Sequence, residues 1–164
     1  EGGTPRQIST GDYQHAGPVV QASAPVWTPD GKSLIMSTNR RDNWELEPRN
    51  TEIYELDVAG GTVNPLTTRE GPDGSPAVSP DGKLIAYTGF DDKRQGYQVS
   101  KLYVMNRNGG GSRQLTITHD RDVQQPHWAP DGKGVYFLSD DRGNTGCYYV
   151  SLDGAVKKLA ACAA

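Results

Sequence analysis

Pro76-Ala77-Val78-Ser79-Pro80-Asp81-Gly82-Lys83 is the stretch whose reading decides the fold. It recurs upstream as Pro25-Val26-Trp27-Thr28-Pro29-Asp30-Gly31-Lys32 and downstream as Pro126-His127-Trp128-Ala129-Pro130-Asp131-Gly132-Lys133. The shared pattern is Pro, any residue, an apolar residue, a small residue, then Pro-Asp-Gly-Lys. The copies stand about fifty residues apart, a spacing typical of repeat architectures. Pro pre-sets the turn backbone and Gly supplies positive φ, so each copy predicts a short strand closed by a tight hairpin.

Working outward, each turn is followed by an apolar run. The runs are Ser33-Leu34-Ile35-Met36-Ser37-Thr38, Leu84-Ile85-Ala86-Tyr87-Thr88 and Val135-Tyr136-Phe137-Leu138-Ser139. They are apolar on both faces, as strands inside stacked sheets must be. Third strands follow at Ile53 to Asp57, Leu102 to Asn106 and Cys147 to Ser151. Cys147 falls where Ile53 and Leu102 fall, which predicts a core thiol, while Cys162 is a tail thiol. A glycine turn then leads to a fourth strand with an aliphatic residue at a fixed offset: Leu66, Leu115 and Leu159. Ile8 occupies the same offset near the N-terminus, so residues 4–9 are expected to be the last strand of a preceding repeat.

Four antiparallel strands per repeat, with no helical period, predict an all-β fold of β-propeller blades. The expected division is residues 1–10 as the last strand of a preceding blade, 11–69 and 70–118 as two blades, and 119–164 as a third blade with a tail. The propeller is thus incomplete: three blades plus one orphan strand. Trp27 and Trp128, at one repeat position, are both expected to be buried. The open ends are expected to favour self-association, because a blade buries a face against each neighbour.

Composition narrows the function classes. In 164 residues the net charge is -3, which gives no electrostatic reason to expect nucleic acid or an anionic membrane surface. No apolar run could span a bilayer, and no signal peptide is visible. Two cysteines do not make a disulfide framework. No Gly-x-Ser-x-Gly nucleophile elbow is present. His15, His119 and His127 lack metal-ligand spacing, and the Asp-Gly pairs lack the spacing of a calcium loop. Neither a cofactor nor a metal is expected, and no catalytic residue is assigned.

Strand alternation puts the short Asp-Gly and Gly-Gly turns on one face and the longer loops on the other. Binding residues are expected on that long-loop face, near the axis. The informative segment is Arg40-Arg41-Asp42-Asn43-Trp44-Glu45-Leu46-Glu47-Pro48-Arg49, where a tryptophan stands among alternating charges. Arginine can grip a carboxylate bidentately and tryptophan offers a stacking surface. The segment reads either as a contact surface for a peptide or another domain, or as an insertion stiffened by salt bridges. At the corresponding places stand Asp91-Asp92-Lys93-Arg94-Gln95-Gly96-Tyr97 and Asp140-Asp141-Arg142-Gly143-Asn144. The candidate contact residues are therefore Arg40, Arg41, Trp44, Glu45, Glu47, Arg49, Asp91, Asp92, Arg94, Tyr97, Asp140, Asp141 and Arg142.

Together with Asn39 to Asn50, Tyr87-Thr88-Gly89-Phe90-Asp91-Asp92, Gln98 to Met105 and Asp140 to Thr145, the repeats resemble the propeller of the prolyl oligopeptidase (S9) family of serine peptidases. The likeness is to its acylaminoacyl-peptidase and dipeptidyl-peptidase-like branch. TolB-type propellers share the Pro-Asp-Gly-Lys repeats. The resemblance implies a non-catalytic, substrate-gating propeller fragment, with an α/β-hydrolase catalytic domain and a peptide substrate as its partners. The alternatives are a TolB-like protein-binding module of the bacterial envelope and a propeller enzyme such as a polysaccharide lyase. The paired glutamates with which some family members hold a substrate amine have no match, since Glu45 and Glu47 are not adjacent.

Overall fold

A computed structural model describes residues 3–11, 13 and 24–161. His15, Cys162 and most of the expected loop from Thr10 to Ala24 lie outside those residues. Among the described residues there is no helix, and twelve strands form three four-stranded antiparallel sheets. The first sheet holds β1 (Val26–Trp27), β2 (Ser33–Thr38), β3 (Glu52–Asp57) and β4 (Val63–Pro65). The second holds β5 (Asp73–Val78), β6 (Leu84–Gly89), β7 (Lys101–Asn106) and β8 (Arg113–Gln114). The third holds β9 (Gln124–Trp128), β10 (Gly134–Asp141), β11 (Asn144–Ser151) and β12 (Val156–Ala161). In each sheet the strands lie side by side in chain order, the meander of a propeller blade.

The sheets stack because both of their faces are apolar. Ile35 and Ile53 pack against Ile85, Tyr87 and Met105 between the first two sheets. Ala86, Leu102, Val104 and Leu115 pack against Trp128, Val135, Phe137, Tyr148 and Val150 between the second and third. On the remaining face of the first sheet, Met36, Tyr54 and Leu56 are covered in part by Ile8. The orphan segment forms no ladder of its own, yet Ile8 holds its place in the repeat. A Cβ on Gly61, Gly109 or Gly154 would lie within 3.2 Å of the carbonyl oxygen of Ile8, Leu66 or Leu115, respectively. Each third-to-fourth-strand turn thus closes over the aliphatic residue of the blade before it. The approach is tightest at Gly109, 2.6 Å with φ +83°, where only glycine fits.

The hairpin turns repeat in detail. Thr28, Ser79 and Ala129 N–H groups bond to the carbonyls of Ser33, Leu84 and Gly134, each at 2.9 Å. The Thr28 and Ser79 hydroxyls donate to Asp30 and Asp81 at 2.6 and 2.7 Å. The same carboxylates accept the N–H of Lys32 and Lys83. Both carboxyls are held below the ordinary range, first by these hydroxyls and then by the backbone N–H groups. Ala129 cannot supply the hydroxyl, so Asp131 keeps only the Lys133 N–H.

The structure corrects three expectations. Trp128 is 7% exposed and donates its indole N–H to the Ala77 carbonyl of the preceding sheet at 2.9 Å. Trp27, at the same repeat position, is 57% exposed, because no described sheet lies on its side. Cys147 pairs with Leu138 as Ile53 does with Ser37 and Leu102 with Thr88, so its register is as read. It is only half-buried, because it faces the open side of the third sheet with Tyr136 and Leu159. The segment 140–144 is no long loop. Arg142 and Gly143, both at positive φ, make a two-residue hairpin between β10 and β11.

Trp128→Ala is expected to cost about 3–5 kcal/mol and Trp27→Ala less than about 1 kcal/mol, read from urea unfolding midpoints. Equal losses would show that the two indoles share one environment. A second expectation concerns pH. The Asp81 carboxyl is lowered from 3.8, so its contribution is present above that value and is lost as pH falls through the lower folded value. Asp81→Asn should flatten the acid limb of the stability curve, below about pH 4, in thermal melts across pH.

Candidate functional site

The long-loop face carries two adjoining cavities. The larger, about 690 Å³, lies where the innermost strands of the second and third sheets begin. Its wall takes Gly74 and Ser75 from β5, Thr88 and Gly89 from β6, and the loop from Arg94 to Gln98. Ser100, Asp122 and Val123 close it together with Gln124 and Gln125 of β9. The smaller, about 460 Å³, is lined by Leu46 to Asn50, Glu70 and Gly71. Arg49, Asp92 and Arg94 line both.

Backbone strain gathers at the larger cavity. Four non-glycine residues among those described have positive φ: Ser75 at 48°, Arg94 at 54°, Gln125 at 48° and Arg142 at 52°. Arg142 is explained by its hairpin. The other three line the one cavity. Ser75 and Gln125 occupy one repeat position, each just before the repeat's proline, where the backbone ordinarily stays extended. Both sit at register shifts in the β5–β6 and β9–β10 ladders. Such bulges turn the edge of an innermost strand, and strain of this kind concentrates at binding sites.

The loop between β6 and β7 is built by its own acid. Asp92 accepts the Arg94 N–H and the Gln98 side-chain amide, each at 2.7 Å, and its N–H donates to the Glu70 carbonyl at 2.9 Å. The Asp92 carboxyl is lowered, first by the Arg94 N–H and then by the Gln98 amide. Asp122 accepts the Ser100 N–H at 2.7 Å and lies 3.4 Å from the Tyr97 hydroxyl. The loop between β2 and β3 folds on Glu47, whose carbonyl accepts the Asn39 amide at 2.8 Å and whose carboxylate accepts that of Asn50 at 3.1 Å.

Beneath these loops lies a buried ionic cluster. Arg41 bonds Glu52 at 2.5 Å, and Glu52 accepts the Thr67 hydroxyl at 2.7 Å. Arg69 pairs with Asp73 and reaches Asp91 at 3.5 Å, with its guanidinium 4.2 Å from the Tyr103 ring centre. Asp73 is fully buried; its carbonyl accepts the Ser37 and Thr51 hydroxyls at 2.6 and 3.0 Å. Burial pushes the Asp73 and Glu52 carboxyls up, against the pull of their partners. The cluster ties the end of the first sheet to the start of the second, and the cavity wall at Gly74 and Ser75 follows directly from Asp73.

The candidate residues therefore separate. Glu47, Arg49, Asp92, Arg94 and Tyr97 come together at the cavities. Arg41 and Asp91 serve the ionic cluster beneath. Arg40 lies 4.1 Å over the Tyr13 ring and donates to the Thr10 carbonyl. Trp44 is half-buried and, like Glu45, lines neither cavity. Asp140 bonds Thr145 at 2.6 Å, Asp141 reaches Arg121 at 3.7 Å, and Arg142 is in the exposed hairpin. Sequence reasoning missed Glu52, Arg69 and Asp73, which lack a repeat pattern, and Ser75 and Gln125, whose shared place before a repeat proline was the available signal.

His119 lies with Nε2 2.8 Å from the Ser139 hydroxyl and packs edge-on against Phe137 and Tyr148. Ser139 has no exposed surface, so this pair is a core contact and not a nucleophile and its base. Among the described residues, no group of three His, Cys, Asp or Glu is placed to hold a metal ion.

Arg69→Met should strand Asp73 as an uncompensated buried charge and cost about 3–5 kcal/mol at pH 7. The Asp73 carboxyl is already raised, and losing Arg69 raises it further. The deficit therefore grows as pH rises through the folded pKa and shrinks on protonation below it. Urea unfolding at pH 7 and pH 5 checks this, and equal deficits at both would speak against it.

No protein-family model matches the chain. Dipeptidyl-peptidase 5 of Porphyromonas gingivalis is 29% identical over 138 residues, covering 81% of this chain and 20% of that protein. The crystal structure of TolB from Acinetobacter baumannii matches with a TM-score of 0.66 at 28% identity, covering 84% of this chain and 32% of that one. An acylaminoacyl peptidase solved with Z-Gly-Gly-Phe-chloromethyl ketone shares the fold at 20% identity, with a TM-score of 0.59 over 85% of this chain and 20% of that one. The chain spans about a fifth of the two peptidases and about a third of TolB. With its three meander sheets, the chain has the fold of β-propeller blades and is similar to the propellers of TolB and of S9 peptidases.

Proposed function

We propose that the chain is part of the non-catalytic, substrate-gating propeller of an S9-type serine peptidase, and that its long-loop face holds peptide segments. The observation that carries this reading is the gathering of Ser75, Arg94 and Gln125, all at positive φ, around one cavity. A scaffold that needed only stacking would have no use for three strained residues there. The likeness to dipeptidyl-peptidase 5 supports peptides as the ligand class. The catalytic serine would belong to an α/β-hydrolase domain of the whole protein, since this chain has no nucleophile elbow. The open face at Tyr136 and Leu159 is where we place contact with a further blade or a second copy.

A second reading is a TolB-like propeller that binds other proteins, favoured by the match to TolB at 28% identity. One experiment separates the two. The whole protein carrying this chain should hydrolyse dipeptidyl-nitroanilides and lose that activity to a serine-directed fluorophosphonate, while the 164-residue chain alone should do neither. A whole protein without a fluorophosphonate-reactive serine would overturn the peptidase reading in favour of the binding module.

A further inference from the structure

The charged groups around the larger cavity differ in how far they are already engaged. Asp92 is occupied by the Arg94 N–H and the Gln98 amide, and Asp122 by the Ser100 N–H. Arg49 and Arg94 stand close enough to Asp92 to lower its carboxyl through space, but neither side chain donates a hydrogen bond to it. The guanidinium groups of Arg49 and Arg94 form no hydrogen bond or ion pair with any described residue, and both side chains are exposed. Each guanidinium carries five N–H donors in a planar fork that matches a carboxylate. Arg94 is placed by its loop and not by a side-chain partner: Asp92 fixes its N–H, and its backbone is held at φ 54°. Tyr97, 68% exposed on the same wall, adds a ring surface. The volume, about 690 Å³, is in the range of pockets that enclose small ligands or short peptide segments.

From this we infer that the larger cavity takes a carboxylate of a bound peptide, held by Arg49 and Arg94. The inference rests on the peptide-holding reading above and gives it a specificity. A single negative charge suits the place better than a phosphate, because Asp92 and Asp122 stand in the same cavity and repel a doubly charged group more strongly. The carboxylate can be a peptide's C-terminus or the side chain of an Asp or Glu within it.

Isothermal titration of the 164-residue chain with three hexapeptides of Gly and Ala tests this. One carries a central Glu and an amidated C-terminus, the second carries Gln with an amidated C-terminus, and the third carries Gln with a free C-terminus. At least one acidic peptide should bind about 10- to 100-fold more tightly than the neutral one, and which one does so identifies the source of the carboxylate. Arg49→Ala and Arg94→Gly should each bring that peptide close to the neutral affinity. Arg94→Gly also suits the positive φ, and circular dichroism checks that both variants fold. Arg142→Ala, in an exposed hairpin that lines neither cavity, should leave the preference intact. Equal binding of all three peptides, or a preference that survives both arginine variants, would overturn the carboxylate site while leaving peptide holding in place. Failure of every peptide to bind would overturn both.

Discussion

Each of the three described sheets is apolar on both faces, so no blade can bury its own core. That requirement organises the rest. Ile35 and Ile53 need the second sheet, and Ala86, Leu102 and Val104 need the third. The stacking is not left to apolar contact alone, which has no direction. The Trp128 indole bonds the preceding sheet, Gly109 fits over the Leu66 carbonyl, and Arg107 reaches back to Glu55 and Asp30 at 2.8 and 3.1 Å. These directional contacts set the angle and spacing at which one sheet follows the next.

The two loop faces are built on different terms. The short-turn face is regular, with Asp30 and Asp81 each locked by a hydroxyl and a backbone N–H inside a repeat unit. The long-loop face is irregular and carries a cost. Acids such as Asp92 and Asp122 are spent on loop shape, its larger cavity is lined by three non-glycine residues at positive φ, and it rests on a buried charge cluster joining two sheets. Buried ion pairs are weak evidence for stability, since desolvation offsets most of the attraction. What the Arg69–Asp73 pair does provide is position, because Asp73 begins the strand whose next residues line the cavity.

The open faces show how far a residue's environment depends on its neighbour. Trp27 and Trp128 have the same local sequence role and the same strand pairing, yet one is exposed and the other is core. Cys147 differs from Leu102 in the same way. In a stacked architecture, burial belongs to the interface and not to the residue.

By itself, the sequence determined the strand-turn-strand unit and its copy number. Those depend on local chemistry: proline and glycine at a turn, alternation along a strand, and a repeat that exposes each position three times. It also pointed to the loops that meet at the site, through Glu47, Arg49, Asp92, Arg94 and Tyr97. Only the tertiary structure decided which of the charges there are tied up in hydrogen bonds and ion pairs. Arg41 and Asp91 look like Arg49 and Asp92 in sequence, but the first pair serves the buried cluster formed with Glu52, Arg69 and Asp73. An ion pair is made by residues brought within a few ångströms from separate strands, and nothing in a local pattern records which charges will meet.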